Sequence, residues 1–181
     1  SDVTNKKFSE ITVCILNRPR HKKIINDLMR LNVNVKLISD GDVSGALLVS
    51  DKKYNVDIFM GIGGGPEGVI SAAALDTLNC NFQGRFLFQN EKDILRAKKM
   101  GITDLEKKYE LKEIVKGDSI FCATAITDCM PMKTQNKEGT NIVNSLNGVK
   151  RHEKNTFFIE TIFTHKSLNK KDIIKKKIFF D

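Results

Sequence analysis

At 181 residues with a hydrophobic share of 40%, the chain is long enough to bury a core and short enough that one α/β domain over residues 1–181 is expected. No apolar run approaches the roughly 18 to 20 residues of a membrane helix and the first thirty residues lack signal-peptide order, so a soluble, cytoplasmic protein with no membrane partner is expected. The net charge of +8 invites a nucleic-acid partner, yet 24 of the 30 basic residues are lysines spread along the chain, and none is expected.

The first strand is expected at 11–16, within ten residues of an opening Ser1-Asp2 that suggests a processed or truncated start. Ile24, Ile25, Leu28 and Met29 then recur at helical spacing, with Asn32 as the stop. A strand at 33–38 precedes a helix carrying Val43, Ala46 and Leu47, and a strand at 56–60 precedes a helix over 66–78 that opens on proline. Three such βα units imply a largely parallel sheet. Beyond them a strand is expected at 85–88, a helix at 91–100 stopped by Gly101, and a lysine-rich helix at 104–112. Strands return at 119–127, 141–146 and 156–163, the last two joined by a polar loop over 147–155 and read as antiparallel additions to the sheet. The lysines at 170–171 and 175–177 read as a solvated tail. The fold class is therefore a three-layer α/β domain with a largely parallel mixed sheet and antiparallel strands near the C-terminus. Cys14, Cys80, Cys122 and Cys129 form no CxxC pair and read as reduced, mostly structural thiols.

Open parallel sheets collect ligands beyond the carboxyl ends of their strands, where loops meet helix N-termini. Three loops fall there. In the first, Pro19 fixes the backbone between Arg18 and Arg20, which could hold two guanidinium groups toward a phosphate. His21 opens the following helix, a place where histidines generally face solvent or bond backbone rather than catalyse. In the second, Asp40-Gly41-Asp42 puts two carboxylates on a glycine hinge, suited to sugar hydroxyls or a cation, although one aspartate could simply cap the helix. The third is the run Gly61-Ile62-Gly63-Gly64-Gly65-Pro66-Glu67-Gly68, whose glycines let backbone approach a ligand closely. Its GxGxxG match would suggest a dinucleotide site, but it follows the third strand, and Glu67 places negative charge where a pyrophosphate needs a positive helix end. A carboxylate in such a loop makes sense if a divalent cation lies between it and a phosphate.

Together, Asn17-Arg18-Pro19-Arg20-His21, Asp40-Gly41-Asp42-Val43 and the 61–68 glycine run resemble the successive signatures of the class II fructose-1,6-bisphosphatases. The similarity continues through Ala97-Lys98-Lys99-Met100-Gly101-Ile102 and Ala123-Thr124-Ala125-Ile126-Thr127. The resemblance implies hydrolysis of the 1-phosphate of fructose 1,6-bisphosphate, and in some members of sedoheptulose 1,7-bisphosphate, with Mn2+ or Mg2+ as cofactor. It implies that Arg18, Pro19 and Arg20 bind the phosphate that is not hydrolysed, that Asp40, Gly41 and Asp42 hold the sugar, that Gly64 contacts substrate through its backbone, and that Glu67 ligates a metal. Family members are about twice this long, and their first half supplies most metal carboxylates. The partners expected are therefore a sugar bisphosphate, a separate N-terminal half and, in a homo-oligomer, further copies of the chain. The alternative is a non-catalytic phosphosugar-binding module or an inactive remnant.

Overall fold

The computed structural model describes residues 5–127, 133–135, 141–143, 147–153 and 155–179. Strand β1 (Thr12–Leu16) is flanked in parallel by β2 (Asn34–Ile38) and by the two-residue β3 (Ile58–Phe59), in the order β2-β1-β3. All five residues of β1 are buried, as expected of a central parallel strand covered on both faces. Helix α1 (Lys22–Arg30) covers one face, where Leu28 and Ile24 meet Ile11, Val13, Val33 and Val35. Asn32 ends it in the left-handed region at φ 58°, as expected. On the other face Cys14 packs with Leu48, Tyr54 and Val56, and burial pushes its thiol up, keeping it protonated and inert. Burial raises Cys80 likewise, Cys122 is free and exposed, and Cys129 lies outside the described residues.

Two helices form the next layer: α2 (Asp42–Leu47) and α3 (Gly65–Thr77). Beyond them lies an antiparallel sheet ordered β11-β10-β6, made of β6 (Ile120–Thr124), β10 (Thr156–His165) and β11 (Lys170–Phe179), with β9 (Lys150–Glu153) pairing the start of β10. Leu47 of α2, Ala74 of α3, Phe121 of β6 and Ile162 of β10 share one core cluster, so the helices fill the space between the two sheets. Along β10 Glu160, Ile162 and Thr164 point into this layer at the period of two that a one-face-buried strand requires.

The α/β class and the parallel-then-antiparallel order agree with the sequence pattern, while several local expectations change. The antiparallel strands pair with one another rather than extending the parallel sheet. Residues 85–88 form no strand: β4 (Gln83–Gly84) pairs with β5 (Tyr109–Glu110), and the aromatic residues that favoured a strand stack instead, Phe86 with Phe88 at 5.9 Å and edge-on to Tyr109 at 5.7 Å. The expected 104–112 helix shrinks to α5 (Leu111–Ile114), because Tyr109 and Glu110 are taken up in β5. Helix α4 (Glu91–Lys99) forms as expected, its start capped by Asn90 accepting from the Asp93 N–H at 3.0 Å. Within 141–146, β8 (Asn141–Val143) pairs with β7 (Lys133–Gln135), and 144–146 lie outside the described residues. The lysine-rich tail is β11, a full ten-residue partner of β10.

Polar contacts tie α3 to this second sheet. The Thr77 and Thr164 hydroxyls meet at 2.6 Å, and Asp76 accepts from Ser119 at 2.5 Å and from Lys166 at 2.6 Å. Glu160, only 8% exposed, accepts from Lys175 at 2.9 Å and from Asn147 N–H and Nδ2 at 2.9 and 3.0 Å. These bonds, the Lys175 one foremost, hold its carboxyl well below the ordinary 4.5, at about 2. A depressed folded-state pKa contributes stability above the unfolded value and loses it as pH falls toward the folded one. Glu160→Gln is therefore expected to lower unfolding free energy at pH 7 by about 1–3 kcal/mol, because Lys175 loses its charge partner. The gap to the wild type should close between about pH 5 and pH 2. Urea unfolding at stepped pH measures both, and a gap that does not narrow on acidification would contradict the assignment.

Candidate functional site

The strand order places the loops after β2, β1 and β3 side by side at one edge of the parallel sheet. Contacts link each loop to the other two. Arg18 Nη2 donates to Asp40 Oδ1 at 3.1 Å, joining the first loop to the second. Arg20 Nε donates to the Ile62 carbonyl at 2.6 Å, joining the first to the third. A β-carbon on Gly63 would lie 3.5 Å from Asp42 Oδ1, so the second loop abuts the third. The Arg18–Asp40 pair has side chains 42% and 87% exposed, so it contributes about 0–1 kcal/mol and opens readily.

Pro19 and Arg20 begin a 3-10 turn ending at His21, which runs directly into α1. His21 is fully buried. Its Nδ1 lies 2.8 Å from the Leu16 carbonyl, and its Nε2 accepts from the Ile62 N–H at 2.9 Å, the Ile62 carbonyl lying farther off at 3.2 Å. A ring that accepts through Nε2 carries its proton on Nδ1, which then donates to Leu16. The histidine thus bonds backbone on both sides. In the second loop Gly41, at φ 91°, adopts a conformation open to glycine at low cost and caps α2. Neither aspartate caps that helix through its side chain; Asp40 faces Arg18 and Asp42 lies by Gly63.

The third loop leaves β3 and enters α3 at Gly65, with Pro66 in the first turn, where a missing N–H costs nothing. A β-carbon on Gly64 would fall 2.3 Å from Glu67 Oε2, so the Glu67 carboxylate lies back over the Gly64 α-carbon. Among the described residues the N–H groups of Gly63 and Gly64 meet no protein acceptor. They lie exposed at the positive end of a 13-residue helix, an arrangement that accepts anions. The structure therefore brings together Arg18, Arg20, Asp40, Asp42, Gly64 and Glu67, the residues singled out by sequence. What sequence reading missed is the crosslinking: the Arg18–Asp40 pair and the double engagement of Ile62 by Arg20 and His21.

The donors present meet the needs of a divalent metal only in part. Glu67 offers the hard carboxylate oxygen that Mn2+ or Mg2+ favours, but among the described residues no three His, Cys, Asp or Glu side chains gather to hold an ion. One carboxylate is a fraction of the six donors such an ion takes.

A model of the family described as bacterial fructose-1,6-bisphosphatase, glpX-encoded, matches residues 1–163. The chain belongs to this fructose-1,6-bisphosphatase family. Proteins named D-fructose 1,6-bisphosphatase class 2/sedoheptulose 1,7-bisphosphatase are similar to it. One from Microcystis aeruginosa is 37% identical over 140 residues, covering 70% of this chain and 41% of the relative. One from Synechococcus elongatus is 36% identical over 146 residues, covering 74% and 42%. The chain thus spans less than half the length of the fructose-1,6-bisphosphatase relatives it matches, and the match falls in their C-terminal part.

Gly64→Ala tests how closely loop and carboxylate are fitted. Its φ of −70° suits alanine, and the new methyl would clash only with the flexible end of Glu67, Pro66 Cδ lying at an ordinary 3.7 Å. Unfolding free energy should change by no more than about 0.5 kcal/mol. A crystal structure of the variant should show Glu67 displaced from the loop, and an unmoved carboxylate would refute the fit.

Proposed function

We propose that this chain forms the phosphosugar-binding wall of a sugar bisphosphatase site, whose remaining wall and most metal carboxylates come from an N-terminal section. The observation that carries the reading is the convergence of two arginines, two exposed N–H groups and a helix N-terminus at one sheet edge. The substrate is fructose 1,6-bisphosphate, with sedoheptulose 1,7-bisphosphate as a second candidate, following the names of the relatives.

In this reading Arg18, set by Pro19, exchanges Asp40 for the phosphate that stays on the sugar, and Arg20 contributes the guanidinium nitrogens left after its bond to Ile62. Asp40, freed, accepts with Asp42 from sugar hydroxyls across the Gly41 hinge. The Gly64 N–H donates to the ligand, and the Glu67 carboxylate beside it is this chain's one contribution to an Mn2+ or Mg2+ site. Such an ion, when bound, neutralises charge developing at the transferred phosphoryl group. A cytoplasmic location and self-association into a homo-oligomer belong to the same proposal.

The rival, a binding module without chemistry, is favoured by the lack, among the described residues, of any cluster of three His, Cys, Asp or Glu side chains that could hold a metal. Phosphate release from fructose 1,6-bisphosphate with Mn2+ separates the two, using the chain alone, the chain reconstituted with an N-terminal section of a relative, and the reconstituted Glu67→Gln form. The chain alone should be inactive, the pair active, and Glu67→Gln should lower kcat at least about a hundredfold. An assembled but inactive pair, or an unaffected Glu67→Gln, would overturn the hydrolytic reading.

A further inference from the structure

We infer that His21 is the positioning residue of the glycine loop, holding the Ile62 peptide in place so that the Gly63 and Gly64 N–H groups stay aimed at an anion. The inference rests on the proposed function for what the loop binds, but not for the clasp itself.

The five residues 61–65 contain four glycines. Glycine has the largest conformational freedom to lose on ordering and no side chain to pack, so such a loop has little of its own to hold its shape. Ile62 is the exception, and it is where the neighbouring loop takes hold. Its N–H donates to His21 Nε2 at 2.9 Å, and its carbonyl accepts from Arg20 Nε at 2.6 Å. Both faces of one peptide residue are therefore gripped by two consecutive residues of a loop 41 to 42 positions away.

The grip is anchored. His21 is completely buried, and its other nitrogen bonds the carbonyl of Leu16, the last residue of the fully buried β1. Its ring thus joins the end of the central strand to the loop following the edge strand. A single lysine or serine could not do this, because the role needs a donor on one side and an acceptor on the other at fixed separation, which a neutral imidazole supplies. Arg20 is half of the clasp and is also placed to meet a phosphate, so ligand binding and loop order are joined in one side chain. An ordered loop binds without the entropy cost of ordering it, which is the gain expected from preorganisation.

Two substitutions divide the ring's functions. Glutamine reaches the place of Nε2 and can accept from Ile62. Asparagine reaches the place of Nδ1 and can donate to Leu16, leaving Ile62 without an acceptor. Amide hydrogen exchange by NMR on the full chain reads the clasp, 15N shifts of the His21 ring read its tautomer, and calorimetry with fructose 1,6-bisphosphate reads binding. In the wild type the Ile62 amide should be protected and the ring proton should be on Nδ1. In His21→Asn, Ile62 exchange should quicken and bisphosphate affinity fall, each by about tenfold, whereas His21→Gln should stay within about threefold of wild type in both. An unprotected Ile62 amide or an Nε2-protonated ring in the wild type would overturn the inference even if neither variant folds. So would a His21→Asn that exchanges like wild type. Protection of Ile62 in a chain that takes up no bisphosphate, alone or reconstituted with an N-terminal section, would support the clasp while sinking the proposed function.

Discussion

Hydrogen bonding along both edges of β1 is the constraint from which the rest of the molecule follows. A strand paired in parallel on both sides must bury its backbone groups and fill both faces largely with apolar side chains; all five residues of β1 are buried, and all but Thr12 are apolar. Parallel pairing also makes the three strands end on the same side. Their loops then have no choice but to meet, and the short loop between β1 and α1 lies between the other two. The candidate site residues collect there because parallel pairing puts these three loops at the same end of the sheet.

Helix α3 carries that order across the molecule. Its first turn is glycine, proline and an exposed carboxylate, with little to pack; its last turn is locked, Asp76 and Thr77 being almost fully buried and bonded to the second sheet. The helix is thus a beam fixed at one end and open at the other. Buried polar groups that are all satisfied hold one geometry rather than several, and Thr77, Thr164, Asp76 and Ser119 meet that condition. The precision of the glycine loop depends on a set of hydrogen bonds some thirteen residues away along the helix, as well as on the His21 clasp beside it.

What could be read from sequence was what local chemistry decides. Helical spacing in 24–29, proline at the start of α3, and Asn32 and Gly101 at helix ends all depend on near neighbours, and the loops that carry Arg18, Arg20, Asp40, Asp42 and Glu67 meet as the βα order leads one to expect. What could not be read was pairing at long range. Lysine is a poor strand former, so β11 looked like a tail until β10 supplied its partner, with Glu160 opposite Lys175 across the pair. Phe86 and Phe88 carried strand propensity into a loop, where they stack on each other and Phe86 meets Tyr109 edge-on. The same limit hid the role of His21, whose partner Ile62 is far along the chain and offers only backbone atoms, which no residue pattern reveals.

The position of β11 has a further consequence, for self-assembly. Among the described residues it forms the outer edge of its sheet, ten residues long, with a row of backbone groups facing away from β10. An open edge of that length is a template on which another copy could add a strand. Five of its ten residues are lysines, however, and a second β11 laid alongside would bring like charges together and strip water from them. The strand is therefore free to close its own sheet while refusing to extend anyone else's, so copies of this chain that associate are expected to do so through some other surface.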